Sequence, residues 1–281
     1  YTHMYQYIHL LTNSTVGLPT DLWLPSTDSI KPEKSTQFAI GTVYAINKDI
    51  NVSVEGFYKT MDNLIEYKEG ASFIVEGERE WEDKIEIGKG WSYGIELLIE
   101  KQYGNTTGWI GYTWSKSERQ FDNISFGKRF PYKYDRRHDI SFVITHKFNE
   151  RIDAGLTWVF GTGNAVTLPH EQYVSLFDTK HFGQYEESDF FWGNMVEHHE
   201  KRNNDRMPAY HRLDISVNFH KQKKWGERIW TVGIYNVYSR QNPFYLMFGY
   251  DYNYRTGESR KVLKQLSLFP IIPSISYKFR F

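Results

Sequence analysis

The chain has 281 residues, 34 Lys and Arg against 34 Asp and Glu, and so a formal net charge of zero. That balance excludes a general binder of nucleic acid or another polyanion, which relies on excess cationic side chains. The lack of cysteine excludes a disulfide framework and a thiolate metal site, and at mean hydropathy −0.60 no run approaches the ~18 apolar residues of a spanning helix.

Aromatic residues make up 17% of the chain, and most of them fall into alternating rows. The first element, "YTHMYQYIHLL" (1–11), enters in mid-alternation with no initiator Met or signal peptide before it. It reads as a partial strand in a piece of a longer chain, with any export signal outside it. In the connection that follows, Leu22, Trp23 and Leu24 are too apolar for free solvation and are expected to fold over the sheet or against a partner. Phe38, Ile40, Tyr44 and Ile46 then share one parity, and Ile50, Val52 and Val54 oppose Asn51, Ser53 and Glu55. Trp91, Tyr93, Ile95, Leu97 and Ile99 oppose Ser92, Gly94, Glu96 and Glu100. The rows continue with Ile110, Tyr112 and Trp114; with Ile140, Phe142, Ile144 and Phe148; and with Ile152, Ala154, Leu156, Trp158 and Phe160. Leu213, Ile215, Val217 and Phe219 follow, then Trp230, Val232 and Ile234, and the closing "ISYKFRF" with Ile275, Tyr277, Phe279 and Phe281. A period of two in β-branched and aromatic residues is the signature of strands with two unlike faces. Prolines in "NPFY" (242–245) and "PIIP" (270–273) mark bulges or rim positions. Helical periodicity is missing throughout, so the chain is expected to be all-β.

The spacers alternate. Short ones lie at 47–49, 103–107, 149–150 and 221–227, and long ones at about 12–35, 68–90, 119–136, 162–209 and 249–260. Tight turns at one end and large loops at the other describe an antiparallel up-and-down transmembrane β-barrel, with periplasmic turns and extracellular loops. A soluble sandwich gives no reason for that alternation. Strands of roughly ten residues suit a tilted bilayer crossing. The polar parity, with Glu55, Glu96, Glu100, Arg151, Asp153, Asp214, Lys278 and Arg280, is expected to line a wet interior. Aromatic belts are expected at Trp91, Tyr93, Trp158 and Phe160 near the long loops, and at Tyr103, Trp109, Phe148, Trp225 and Phe279 near the turns. Phe281 would then end the last strand at the periplasmic rim, in the outer membrane of a Gram-negative bacterium.

About ten strands can be counted, enough either to close alone or to form part of a larger barrel. Here seven stretches matter: "IKPEKSTQFAIG", "NVSVEGFYKTMDNLIEYKEG", "GWSYGIELLIEKQYGNTTGWIGYTWSKS", "FPYKYDRRHDISFV", "RMPAYHRLDISVNF", "YNVYSRQNPFY" and "FPIIPSISYKFRF". In this order they resemble the C-terminal half of the β-barrel of a TonB-dependent receptor of Bacteroidetes type. The resemblance implies roughly the last ten strands of a barrel of some 22, across residues 1–281, without the plug domain, signal peptide or earlier strands. It implies active import of a nutrient ligand captured by extracellular loops, with TonB acting through the plug. The implied partners are outer-membrane lipid, the plug and remaining strands of the parent chain, and the TonB complex. A surface lipoprotein is compatible with the lineage, although no residue points to one. Two other readings stay open: a self-contained ten-stranded barrel enzyme, and a translocator or structural barrel of a secretion system.

Candidate functional residues lie in the long loops. In "YDRRHD" (134–139), His138 and Asp139 could suggest a catalytic pair, but neighbours on a strand point to opposite faces, and an ion-paired rim is expected instead. The 162–209 loop carries Phe190, Phe191 and Trp192, an apolar triplet suited to stacking on a ligand, together with Tyr173. Its His198 and His199, between Glu197 and Glu200, are further ligand-binding candidates. Adjacent histidines diverge in an extended chain, so no metal site is expected. No phosphate loop, carboxylate pair or Ser–His–Asp arrangement suggests catalysis, and no cofactor is implied.

Overall fold

The computed structural model describes residues 1–12, 21–69, 71, 81–169, 171–174, 195–199 and 201–281. In chain order the strands are β1 (Thr2–Gln6), β2 (Ile8–Leu11), β3 (Leu22–Pro25), β4 (Glu33–Ala45), β5 (Ile50–Tyr67), β6 (Ile85–Lys101), β7 (Thr106–Gln120), β8 (Phe130–Pro131), β9 (His138–Asn149) and β10 (Ile152–Gly161). They continue with β11 (Ala165–Val166), β12 (Glu171–Val174), β13 (Met195–His198), β14 (Asp205–Arg206), β15 (Tyr210–Lys223), β16 (Gly226–Tyr235), β17 (Pro243–Asn253), β18 (Glu258–Ser267) and β19 (Ile272–Arg280). Ten of them form the wall, an antiparallel sheet in the order β1-β4-β5-β6-β7-β9-β10-β15-β16-β19, with β8 beside β7. Among the described residues the path does not close on itself.

The wall alternates as the spacers require. Tight turns at 46–49, 102–105, 150–151 and 224–225 sit at one end, and connections at 7–32, 68–84, 121–137, 162–209 and 236–271 at the other. Two of the turns are set by an asparagine. Asn47 Oδ1 accepts from the amides of Asp49 and Ile50 at 2.8 and 3.0 Å, and Asn149 Oδ1 accepts from Arg151 and Ile152 at the same distances.

Register joins the separate apolar rows into one surface. Tyr44 pairs Val52, Val52 pairs Ile99, Ile99 pairs Ile110, Ile110 pairs Phe142, Phe142 pairs Trp158 and Trp158 pairs Leu213. Further along, Val217 pairs Val232 and Val232 pairs Ile275. The other face carries Glu55, Glu96, Thr113 and Asp139 in one line, and Asp153, Asn218, Thr231 and Ser276 in another. On the apolar face Ile40 is 82% exposed, Ile95 52% and Ile275 70%. A contiguous apolar face with nothing among the described residues packed on it belongs against lipid.

Polar side chains bound this apolar band. On β9, His138 and His146 bracket Ile140, Phe142 and Ile144. His138 Nδ1 pairs with the Tyr112 hydroxyl at 2.9 Å, and His146 Nδ1 with Thr106 Oγ1 at 2.7 Å. Lys101 Nζ turns back to the carbonyls of Tyr103 and Thr106 at 3.1 and 3.0 Å. Near the long-loop end, ring contacts run from Tyr58 to Tyr93 and Trp114, and from Trp158 through Phe160 and His211 to Tyr238. Trp91 stays on the outward parity with Tyr93 and Ile95, with the Arg129 guanidinium over one face of its ring, 3.7 Å from the centroid. One belt expectation is corrected. Trp109 pairs with Glu100 and therefore faces the lumen.

Three boundaries also move. Residues 8–11 leave the wall to pair with β3. There Leu24 packs into a core while Trp23 beside it stays 64% exposed, because the strand alternates. β6 begins at Ile85, earlier than the spacing suggests. The last long connection runs over 236–271 and contains β17 and β18, which among the described residues pair only with each other. Their register shifts between Pro243 and Tyr245, in line with the proline there.

Candidate functional site

β5 and β6 have 18 and 17 residues, well beyond the ~9–11 of a crossing, and their upper ends carry the long loops. At Asn63 (φ 59°) β5 makes a bulge, steadied by the Asn63 side-chain amide on the Pro32 carbonyl at 2.9 Å. The extra residue reverses the parity. Leu64 and Glu66, which plain alternation would turn toward lipid, now face the lumen side. Leu64, Phe121, Ile124 and Phe130 form one buried core, with Met61 against it. Ile65, Tyr67, Ile85, Leu11 and Ile30 form a second.

An ionic cluster ties four loops together between and beside these cores. Glu66 is 1% exposed. Arg119 Nη1 donates to its Oε2 at 3.2 Å and to the Ile65 carbonyl at 3.3 Å, while Arg202 Nη1 lies 3.5 Å from Oε1 and donates to the Tyr67 carbonyl at 2.8 Å. Thr12, from the first connection, donates to Glu66 Oε1 at 3.5 Å. The Arg119 guanidinium stacks on Tyr132 at 3.7 Å. Glu69 accepts from the Ser125 amide at 3.2 Å and from Arg202 Nη2 at 3.4 Å, with His199 Nε2 at 3.6 Å. The close contact with His199, helped by the nearby Arg202, holds the Glu69 carboxyl down at about 2 despite its partial burial.

Two further contacts complete the cluster. Asp135, 2% exposed, accepts from the Ser117 amide at 2.6 Å and from Arg137 at 3.3 Å, and pairs closely with Arg206. Asp21 binds Lys133 Nζ at 2.7 Å and the Tyr134 hydroxyl. Burial, then that bond to a carboxylate, pushes the Tyr134 phenol upward. Buried charges survive only when paired in this way. The result is a fixed frame at the barrel mouth.

The residues singled out from sequence fall unevenly on this frame. Tyr173 pairs with Val196 and His198 with Glu171, so both belong to the β12–β13 hairpin. His199 reaches Glu69, a contact within the frame. Phe190, Phe191 and Trp192 lie outside the described residues. In "YDRRHD" an ion-paired rim is present, and Asp139 meets Arg136 at 3.5 Å on the face opposite His138. Glu66, Glu69, Arg119, Arg202 and Arg206 were not singled out. The one available signal was Glu66, a charge enclosed by apolar neighbours in "NLIEY".

The family model described as TonB dependent receptor-like, beta-barrel, matches residues 4–237. Among solved structures, the chain is similar to the ferripyoverdine receptor of the outer membrane of Pseudomonas aeruginosa, at 13% identity and TM-score 0.50, over 90% of this chain and 28% of that one. It is also similar to the ferric citrate transporter FecA in unliganded form, at 13% identity and TM-score 0.51, over 88% of this chain and 31% of that one. No curated protein matches it. The chain thus spans under a third of these receptors' length, and at such identity the likeness speaks for the fold alone. The family match covers most of the wall and every tight turn, and the wall has the lipid face and loop asymmetry of a membrane barrel: the chain belongs to the TonB-dependent receptor β-barrel family.

Proposed function

We propose that the parent protein is an outer-membrane receptor of Bacteroidetes type that imports a nutrient ligand by TonB-dependent transport. This chain would supply the C-terminal half of its barrel, about ten of some 22 strands. The observation that carries this reading is the asymmetry of the wall. One end is closed by tight turns, and the other holds long loops locked together by the Glu66–Arg119–Arg202 cluster. An import receptor needs such a frame to present ligand-contacting side chains on a wall that itself stays still. The coupling to TonB belongs to a plug domain held inside the completed barrel.

The self-contained enzyme reading is weaker. It needs closure from these strands, and β1 and β19 are not paired with each other among the described residues. It also needs a converging His–acid pair, and His138 and Asp139 diverge.

The capture step is assigned to the 162–209 loop. Replacing Phe190, Phe191 and Trp192 together with Ala in the parent should raise the half-saturation concentration of uptake, with the amount of folded surface receptor unchanged. Uptake is to be measured per surface receptor, in cells with and without TonB. An unchanged half-saturation contradicts the loop assignment, and uptake that persists without TonB contradicts the transport reading.

A further inference from the structure

Ser125, Phe126 and Gly127 have positive φ in succession, at 52°, 57° and 71°. Gly127 adopts this conformation freely, but for a bulky side chain such as Phe126 it is an outlier that only firm surroundings maintain. Those surroundings are present. Ile124 is fully buried in one core with Phe121 and Phe130. The Ser125 amide donates to Glu69 at 3.2 Å, and Ser125 Oγ accepts from the Arg202 amide at 3.0 Å. Gln120 Nε2 donates to the Gly127 carbonyl at 2.8 Å, and the Lys128 amide to the Ser125 carbonyl at 3.1 Å. Yet the Phe126 ring is 85% exposed. Every neighbour is fixed, and the strained residue itself buries nothing.

We propose that Phe126 is a preorganised ligand-contact residue at the barrel mouth, whose ring stacks on the flat face of a ring-bearing ligand, either an aryl group or a pyranose. This deepens the import reading above and rests on it. Backbone strain without compensating burial is costly in the empty protein and gains a purpose only when something covers the ring. The frame supplies what such a contact needs. A phenyl ring with two torsions, on a backbone already locked, loses little entropy when a ligand face settles on it. Its loop shares one core with β5 through Phe121, Ile124 and Phe130, clustered with Leu64 and Met61 on the lumen-side face of β5.

The test uses the purified full-length receptor and two probes, the ferric tris-catecholate complex for aryl rings and maltohexaose for pyranoses. The wild type should bind one of them, which names the source of the ring. Phe126→Ala and Phe126→Gly should weaken that binding about tenfold, and Phe126→Trp should keep it. Because glycine relieves the positive φ, Phe126→Gly should melt no lower than the wild type. Binding of neither probe, undiminished binding by the Ala and Gly variants, or a lowered melting temperature of Phe126→Gly would each overturn the proposal. Probe binding needs no TonB, so failure here leaves the transport reading to its own uptake measurement.

Discussion

Ile95→Arg destabilises the assembled barrel by about 2–4 kcal/mol, the cost of a cation at a lipid-facing midplane position, and Glu96→Arg, one residue on, does not. Ile95 lies in the middle of the outward row of β6, between Gly56 and Trp114, and is half exposed because lipid is its neighbour. Arginine there must either stay in hydrocarbon or drag water and headgroups to it. Glu96 sits on the lumen face, directly opposite Glu55 on β5. Exchanging its charge turns a like-charged cross-strand pair into an opposite one, which favours the fold slightly. Heat-modifiable mobility and denaturant midpoints of the full-length receptor read both variants. Equal losses would remove the assignment of the two faces.

The second large effect is expected far from lipid. Arg119→Ala should cost about 3–5 kcal/mol of loop stability, because it strips one of two arginines from a buried carboxylate. Glu66 has a side chain only 2% exposed, and both arginines are 9% exposed, so water cannot replace the lost donor without opening the cluster. The loss should stay local. Exchange at the Ser125 and Arg202 amides rises steeply while the wall keeps its heat-modifiability, since the cluster lies above the apolar band. Adding Glu66→Gln to Arg119→Ala should recover part of the loss, as the coupling of a contacting pair requires. The cluster also has an acid limb. Glu69 is lowered from an ordinary 4.5 to about 2, so its contribution is fully present above 4.5 and fades as pH falls from there toward 2. Glu69→Gln should flatten that limb. Slow, unaltered exchange at Ser125 and Arg202 in Arg119→Ala would show that the frame does not depend on these charges.

Much of the wall was legible because its cause is local and repeated. In a strand with lipid on one side and water on the other, every second residue answers to the same solvent, so Ile95, Leu97 and Ile99 announce their face without any tertiary knowledge. Turn positions were legible for the same reason, with Asn47 and Asn149 as local hydrogen-bonding devices. The mouth was not. Glu66 and Arg202 are more than a hundred residues apart in the chain, and nothing in either neighbourhood names the other. One bulge at Asn63 swaps the faces of everything beyond it in β5, and an asparagine between Asp62 and Leu64 gives no sign of doing so. β17 opens on the apolar run PFYLMF and β18 has no clean alternation, so neither announces a face or says which strand it pairs with. Trp91 shows the same limit: its parity was legible, but the contact with Arg129, from a loop nearly forty residues on, was not.

The central claim is that this wall crosses the outer membrane with its tight turns inside and its interlocked loops outside. The chain has no cysteine, so single cysteines introduced into it report cleanly once any elsewhere in the parent are replaced. The measurement is labelling of whole cells by a membrane-impermeant maleimide, at Lys48, Gly104, Glu150 and Lys224 in the turns and at Asp122 and Lys128 in the 121–137 loop. Asp122→Cys and Lys128→Cys should label in intact cells, and the four turn cysteines only after the outer membrane is permeabilised. Turn cysteines that label in intact cells as fully as those in the loop would contradict the account.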